Sequence, residues 1–305
     1  MRNRSLCSAL LALIVLVALA GCGESEPDFT ASAPAFPSTP RTVFGGARPV
    51  TIQVPTTYNA NRPAPLLVSL HGYQADGSIE ENYLGLGALV ESKGILIIAP
   101  DGTIDRSGFR FWNATPACCN SDGSSVDDVG YILGLVADIR HDYNVDRQRI
   151  YLIGHSNGAF MAHRLACEAA HDITAIVALA GATFKDAAAC APSEPVSVLD
   201  IHGDADVEIL YEGGQINGVA YPSEIETMMH WQVYDHCAPG LVTDPTPLNL
   251  DFRLTGSETT AQRYTNCARG TGVELWTIHG GAHIPNLSRS FPTLVWQWLG
   301  DHAKR

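Results

Sequence analysis

"IYLIGHSNGAFMAHRLAC", residues 150–167, runs from an apolar strand-like stretch straight into a helical one, with Gly154-His155-Ser156-Asn157-Gly158 at the corner. Gly-x-Ser-x-Gly alone is a weak signal; a strand immediately before it and a helix immediately after it make it informative. In that setting the serine sits in a strained turn. Side chains at Gly154 and Gly158 would collide with the neighbouring strand and helix. The helix start then places backbone N–H groups and a partial positive charge beside Ser156, where an oxyanion would form. An ordinary serine in a tight turn is the alternative.

The flanking sequence gives the setting. "VTIQV" (50–54) alternates as a strand does, and "PLLVSL" (65–70), "GILIIAP" (94–100), "RIYLI" (149–153), "ITAIVALA" (173–180), "VSVLDI" (196–201) and "VELWTI" (273–278) are short apolar runs. "VDDVGYILGLVADIRHDY" (126–143) has apolar residues at helical spacing and acidic residues at its start. Buried strands alternating with helices predict a mostly parallel central sheet flanked by helices, an α/β domain over 41–305. The opening hairpin-like segment is expected to add antiparallel edge strands.

A serine nucleophile needs a base, and the base needs an orienting acid, in the chain order Ser, Asp or Glu, His for this architecture. After "VSVLDI" comes "HGDADVEILYEGG" (202–214), offering Asp204 and Asp206. After "VELWTI" comes "HGGAHIPN" (279–286), offering His279 and His283, of which His283 is set apart by the glycines before it and the proline after it. Those two histidines have the i, i+4 spacing of some zinc ligands, but the glycines between them disfavour a helix, so no metal is expected. The second oxyanion donor is expected from "SLHGYQADG" (69–77): the N–H of Tyr73, paired with that of Asn157.

The ends and the composition bound the rest. Residues 1–21 pair a basic start, Met1-Arg2-Asn3-Arg4, with a short apolar run, and are read as a signal peptide. Leu19-Ala20-Gly21-Cys22 resembles a bacterial lipobox, which implies cleavage before Cys22 and a lipid on its sulfur. Residues 22–40, with four prolines, read as a tether. Thirty-two acidic against 19 basic residues, net charge −13, argue against nucleic acid or an anionic membrane surface as partner, leaving a lipid at Cys22 as the membrane contact. Setting aside Cys7 and Cys22, six of the eight cysteines remain, an even number suited to three disulfides in an oxidising compartment, with 15 possible pairings. Cys237 with Cys267 is the preferred pair, and Cys118 and Cys119 are expected to bond to different partners.

Taken together, "PLLVSLHGY", "FWNATPACCN", "VDDVGYI", "RIYLIGHSNGAFMAHRLAC", "IHGDAD" with "YEGG", and "GGAH" resemble exported esterases of the polyhydroxybutyrate-depolymerase/feruloyl-esterase type, α/β-hydrolases related to carbohydrate esterase family one. The resemblance implies the α/β-hydrolase fold, Ser156 as nucleophile, His283 as base, and Asp206, the fifth position of His-Gly-x-x-Asp, as acid. It implies a substrate-binding role for Trp112, a small-molecule or oligomeric ester as substrate, no cofactor, and a place in the bacterial cell envelope or outside the cell. Such enzymes often carry His-x-Trp-Pro at the last motif; here it is His283-Ile284-Pro285. The rival readings are a serine peptidase of the same fold, which would need an anchor for a peptide terminus, and a non-catalytic glycan- or polymer-binding lipoprotein.

Overall fold

The computed structural model describes residues 36–304, so the expectations for the signal peptide, Cys22 and most of the tether lie outside the described residues. Its centre is an eight-stranded sheet: β1 (Ala64–Leu70), β2 (Leu96–Ile98), β3 (Val145–His155), β4 (Ala175–Leu179), β5 (Ser197–Gly203), β6 (Ala238–Thr243), β7 (Thr259–Thr265) and β8 (Val273–Ile278). Across the sheet the order is β6-β7-β8-β5-β4-β3-β1-β2. Strands β2 to β8 by way of β1, β3, β4 and β5 are parallel, while β7 runs antiparallel to both β6 and β8.

The apolar strands are buried on both faces because successive side chains point to opposite sides. Leu66, Val68, Ile150, Leu152, Ile176 and Val198 enter one core, and Leu67, Tyr151, Ile153, Val177, Leu199 and Ile201 the other. Helices α1 (Gly77–Leu84), α2 (Gly87–Lys93) and α6 (Phe291–Asp301) pack on the second face through Leu84, Leu89, Val295 and Leu299. On the first lie α3 (Asp128–Asp142), α4 (Asn157–Glu168) and α5 (Glu224–Tyr234), through Ile132, Phe160 and Trp231. Asp127 starts α3 by accepting from Gly130 N at 2.8 Å, as the acidic N-terminus in the sequence implies.

Two expectations are corrected. The opening segment forms a separate hairpin, Val43–Phe44 with Val50–Thr51, and pairs with the main sheet through the bridge of Gln53 to Ile97 of β2. The antiparallel strands lie at the other edge, in the exposed, glycine-bearing β6 and the polar β7, neither of which offers an apolar run to read. β6 pairs irregularly, its register shifting between Ala238 and Val242 around Pro239 and a positive-φ Gly240.

Cys118 and Cys119 bond to each other, not to separate partners. Cys167, near the end of α4, is joined to Cys190, and Cys237, just before β6, to Cys267, just after β7. These pairs occupy the other four cysteines among the described residues, which leaves the adjacent two to one another.

Cys237–Cys267 closes a loop with a sequence separation of 30, for which chain entropy gives about 3–4 kcal/mol of stabilisation. Replacing both by serine should lower the thermal midpoint by several degrees, with β6 and β7 losing amide-exchange protection first. An unchanged midpoint would show that packing alone holds this edge.

Candidate active site

β3 ends at His155 and α4 begins at Asn157, so Ser156 alone makes the corner. Its φ of 53° is left-handed, a conformation that costs a non-glycine residue on the order of 1–3 kcal/mol. The surroundings enforce it. Ser156 N donates to Leu179 O at the end of β4 at 2.8 Å, and Ser156 O accepts from Ala159 N and Phe160 N in the first turn of α4. A Cβ on Gly158 would strike the Leu70 carbonyl of β1, and one on Gly154 the Gly158 carbonyl. Both glycines are therefore required by close backbone approach.

Two loops deliver the partners of Ser156. β5 and β8 are parallel neighbours, and the chain leaves both at the same edge of the sheet. Gly203 and Gly281 then touch backbone to backbone, and Ala205 N donates to Gly281 O at 3.0 Å, tying the loops together. His283 Nε2 lies 2.9 Å from Ser156 Oγ, and His283 Nδ1 lies 2.7 Å from Asp206 Oδ2. With Asp206 ionised, Nδ1 carries the ring proton, and Nε2 is free to accept from the serine. Asp206 is buried, but hydrogen bonds from His202 and His283 outweigh that burial and hold its carboxyl well below the usual range. Asp204 stands outside this line, pairing with His279 Nδ1 at 2.8 Å on the exposed side of the loop. The geometry thus separates the two aspartates that spacing alone left open.

Around Ser156 a second set of contacts shapes the side facing the Tyr73 segment. A Cβ on Gly72 would lie 3.4 Å from Ser156 Cβ, so the Tyr73 segment passes directly beside the serine. The N–H groups of Tyr73 and Asn157 donate to no acceptor among the described residues. The segment is fixed by buried His71, whose Nδ1 donates to Gly72 O at 2.8 Å while Nε2 accepts from Gly102 N at 2.8 Å. Burial lowers the pKa of His71, in keeping with that neutral tautomer. Asn157 holds Trp112 by its backbone: Oδ1 accepts from Trp112 N at 2.7 Å and Nδ2 donates to Trp112 O at 3.0 Å. Trp112 is fully buried, its indole N–H donating to His71 O at 3.0 Å. The side chain expected to line a substrate cleft is thus a brace beneath the His71–Tyr73 turn, because an indole without exposure meets no substrate.

Several buried groups here escaped the sequence reading. His155 donates from Nε2 to His283 O at 2.9 Å, and burial together with His283 pushes it down to about 4, so it stays neutral. His202 sits at the end of β5 between Asp206 and Glu224, with Nε2 3.0 Å from Asp206 Oδ2 and Nδ1 2.6 Å from Glu224 Oε1. Both histidines stand inside quoted motifs, so the signal was a histidine at the C-terminal end of a buried strand. Glu80 of α1 accepts from Gly72 N at 3.3 Å, and burial pushes it up to about 8. Nothing in its local sequence marks it.

A cavity of about 290 Å³ lies beside this edge of the sheet, bounded by Thr115, Pro116 and Ala117, by Phe184, and by Val219 and Ala220. Its first wall adjoins Cys118, whose Sγ is 3.6 Å from Asn157 Nδ2. A slightly larger cavity, about 320 Å³, lies at the opposite ends of the strands among Ile150, Thr174 and Ser197, far from Ser156 along the strands. There Glu194 bridges Arg269 and Lys304, each at 2.6 Å.

Two outcomes follow from this geometry. Gly158→Ala should yield insoluble or strongly destabilised protein, since the Leu70 carbonyl cannot move without breaking β1; a folded, fully active variant would contradict the close approach. Glu80 stays protonated in the fold while the unfolded chain ionises near 4.5, so folding binds a proton between those values. Stability contributed by that proton is present below about pH 4.5 and is lost as pH rises through 8. Glu80→Gln should therefore flatten the decline in urea midpoint between pH 5 and 8; equal declines in both proteins would refute the assignment.

No protein-family model matches the chain. It is 27% identical over 244 residues to feruloyl esterase B of Piromyces equi, covering 77% of this chain and 42% of that relative. It is 26% identical over 293 residues to feruloyl esterase D of Neurospora crassa, covering 92% of this chain and 87% of that relative. The chain thus spans less than half the length of the Piromyces relative. Among solved structures, the acetyl xylan esterase from Aspergillus awamori superposes with a TM-score of 0.59 at 15% identity, covering 83% of this chain and 94% of that one. In fold the chain is an α/β-hydrolase, and in sequence it is feruloyl-esterase-like.

Proposed function

We propose that this protein is a serine carboxylic-ester hydrolase in which Ser156, His283 and Asp206 act as nucleophile, base and orienting acid. The observation that carries the reading is the continuous hydrogen-bonded line from Asp206 through His283 to Ser156, at 2.7 and 2.9 Å, on a strained corner at the head of α4. Ser156 Oγ attacks the ester carbonyl as His283 Nε2 takes its proton. The Tyr73 and Asn157 N–H groups receive the oxyanion. Collapse expels the alcohol, protonated by His283, and leaves an acyl-serine. Water, deprotonated by His283, then attacks the acyl carbon, and the carboxylic acid departs as Ser156 regains its proton.

The substrates proposed are feruloyl or acetyl esters, or 3-hydroxyalkanoate oligomers. The sequence likeness to feruloyl esterases supports the first of these. So does an apolar rim: Ile284, next to His283, and Val207, next to Asp206, are 58% and 85% exposed. His283-Ile284-Pro285 lacks the tryptophan of the His-x-Trp-Pro motif, which removes one aromatic wall. The cavity lined by Pro116, Phe184 and Val219 offers apolar surface for the acyl or alcohol portion.

We also propose export, with residues 1–21 as signal peptide, lipid attachment at Cys22, residues 22–40 as tether and 41–305 as the hydrolase domain. Three disulfides support an oxidising compartment.

The test is initial-rate hydrolysis of methyl ferulate, p-nitrophenyl acetate and a 3-hydroxybutyrate trimer by wild type and Ser156→Ala, with fluorophosphonate labelling alongside. The alanine variant should retain its fold, lose turnover by at least about a thousandfold, and fail to label. Undiminished hydrolysis by that variant would overturn the role of Ser156. Inert wild-type protein that also refuses the probe would favour a binding function.

A further inference from the structure

The Asp206 carboxylate is surrounded by donors beyond the one its role requires. Oδ1 accepts from Glu208 N at 2.8 Å and Ile209 N at 3.0 Å, and Oδ2 accepts from His283 Nδ1. A fourth donor comes from the strand behind it. We propose that His202 is a positioning residue for the Ser156–His283–Asp206 line: held by Glu224 on one side, it donates from Nε2 to Asp206 Oδ2 on the other, aiming that carboxylate and offsetting part of its charge. The proposal rests on the catalytic reading above.

Proton accounting supports it. Nε2 faces two acceptors, Asp206 Oδ2 at 3.0 Å and Ile209 O at 2.9 Å, so it must carry hydrogen. Nδ1 faces Glu224 Oε1 at 2.6 Å, and a proton is held between them. All three side chains are buried, so none of this charge is dispersed into water. Burial opposes a charged imidazole, yet the Glu224 and Asp206 carboxylates together raise His202 to about 10.

The groups facing His202 come from every element around it. Glu224 projects from α5 and Asp206 from the loop after β5, while the Tyr211 ring packs edge-on at 5.7 Å. Tyr211 is itself tied to Thr277 of β8 at 2.8 Å. Asp200, two residues earlier on β5, acts on Glu224 and stands 3.1 Å from His163 Nε2 of α4. His163 Nδ1 accepts from Trp231 Nε1 at 3.0 Å, so Nε2 carries its ring proton, without a hydrogen bond to Asp200.

A positive imidazole behind Asp206 weakens the hold of that carboxylate on the imidazolium formed at His283 during reaction. Glu224→Gln keeps a hydrogen-bonding partner for Nδ1 but releases the extra proton, leaving His202 neutral with its Nε2–H still on Asp206. The acid limb of the kcat/KM profile for p-nitrophenyl acetate should then move up by about one pH unit in protein that remains folded. In ¹⁵N-histidine spectra His202, identified by the signal lost in His202→Gln, should be doubly protonated in wild type at pH 7 and singly protonated in Glu224→Gln. Coincident acid limbs in a folded Glu224→Gln protein would overturn the proposal, as would a wild-type His202 without hydrogen on Nε2. If Glu224→Gln fails to fold, His202→Gln supplies the same comparison, and an unmoved limb there overturns it as well. Absence of Ser156-dependent turnover would instead overturn the catalytic reading, and the spectra alone would then decide whether His202 donates to Asp206.

Discussion

The backbone crossing at Gly158 governs the site. Because no side chain separates Gly158 from the Leu70 carbonyl, α4 can start immediately where β3 stops, and the intervening residue is forced to φ +53°. That one compression aims Ser156 out of the sheet edge and turns the first N–H groups of α4 toward the same space. It also brings β1 close enough for the His71–Tyr73 turn to lie against the serine. The strain at Ser156 is offset by β4, whose last carbonyl accepts its N–H, and by the first turn of α4. Ser156 is thus fixed by three elements, none of which could shift alone.

The charges around that corner are arranged in layers. Ser156 and His283 meet the open edge, Asp206 lies behind them, and His202 with Glu224 lies behind Asp206. Each layer is more deeply desolvated than the one before, so each ionised group relies on the next for compensation. His155 is the exception, since it is neutral and acts only through its N–H on the His283 backbone. Rigidity in the site therefore comes from hydrogen-bond direction as much as from packing.

The fold and the outer layer were legible from local pattern. Six apolar runs announced parallel strands because full burial leaves no polar alternation, and the Ser, Asp, His order followed from strands ending at one edge. Choosing Asp206 over Asp204 needed resemblance, since both follow β5 within three residues and only the turn at Ala205–Asp206 directs one inward. Glu80 and Glu224 were invisible because their burial is decided by partners far along the chain. Trp112 was misjudged because an aromatic beside a cleft and one beneath it have the same sequence. β6 and β7 were missed for want of hydrophobic contrast, and the Cys118–Cys119 bond because it depends on where the other four cysteines meet.

An open sheet has two outer rims, and here each is unfit to receive a foreign strand. Along β2 the backbone of Gln53 already occupies the pairing positions of Ile97. Along β6, Pro239 lacks an amide hydrogen and the irregular stretch at Gly240 throws the remaining groups out of step. A neighbouring molecule approaching edge-on would find no regular ladder to extend. The irregularity that hid β6 from the sequence reading thus also guards the sheet against growing from one molecule into the next at high local concentration.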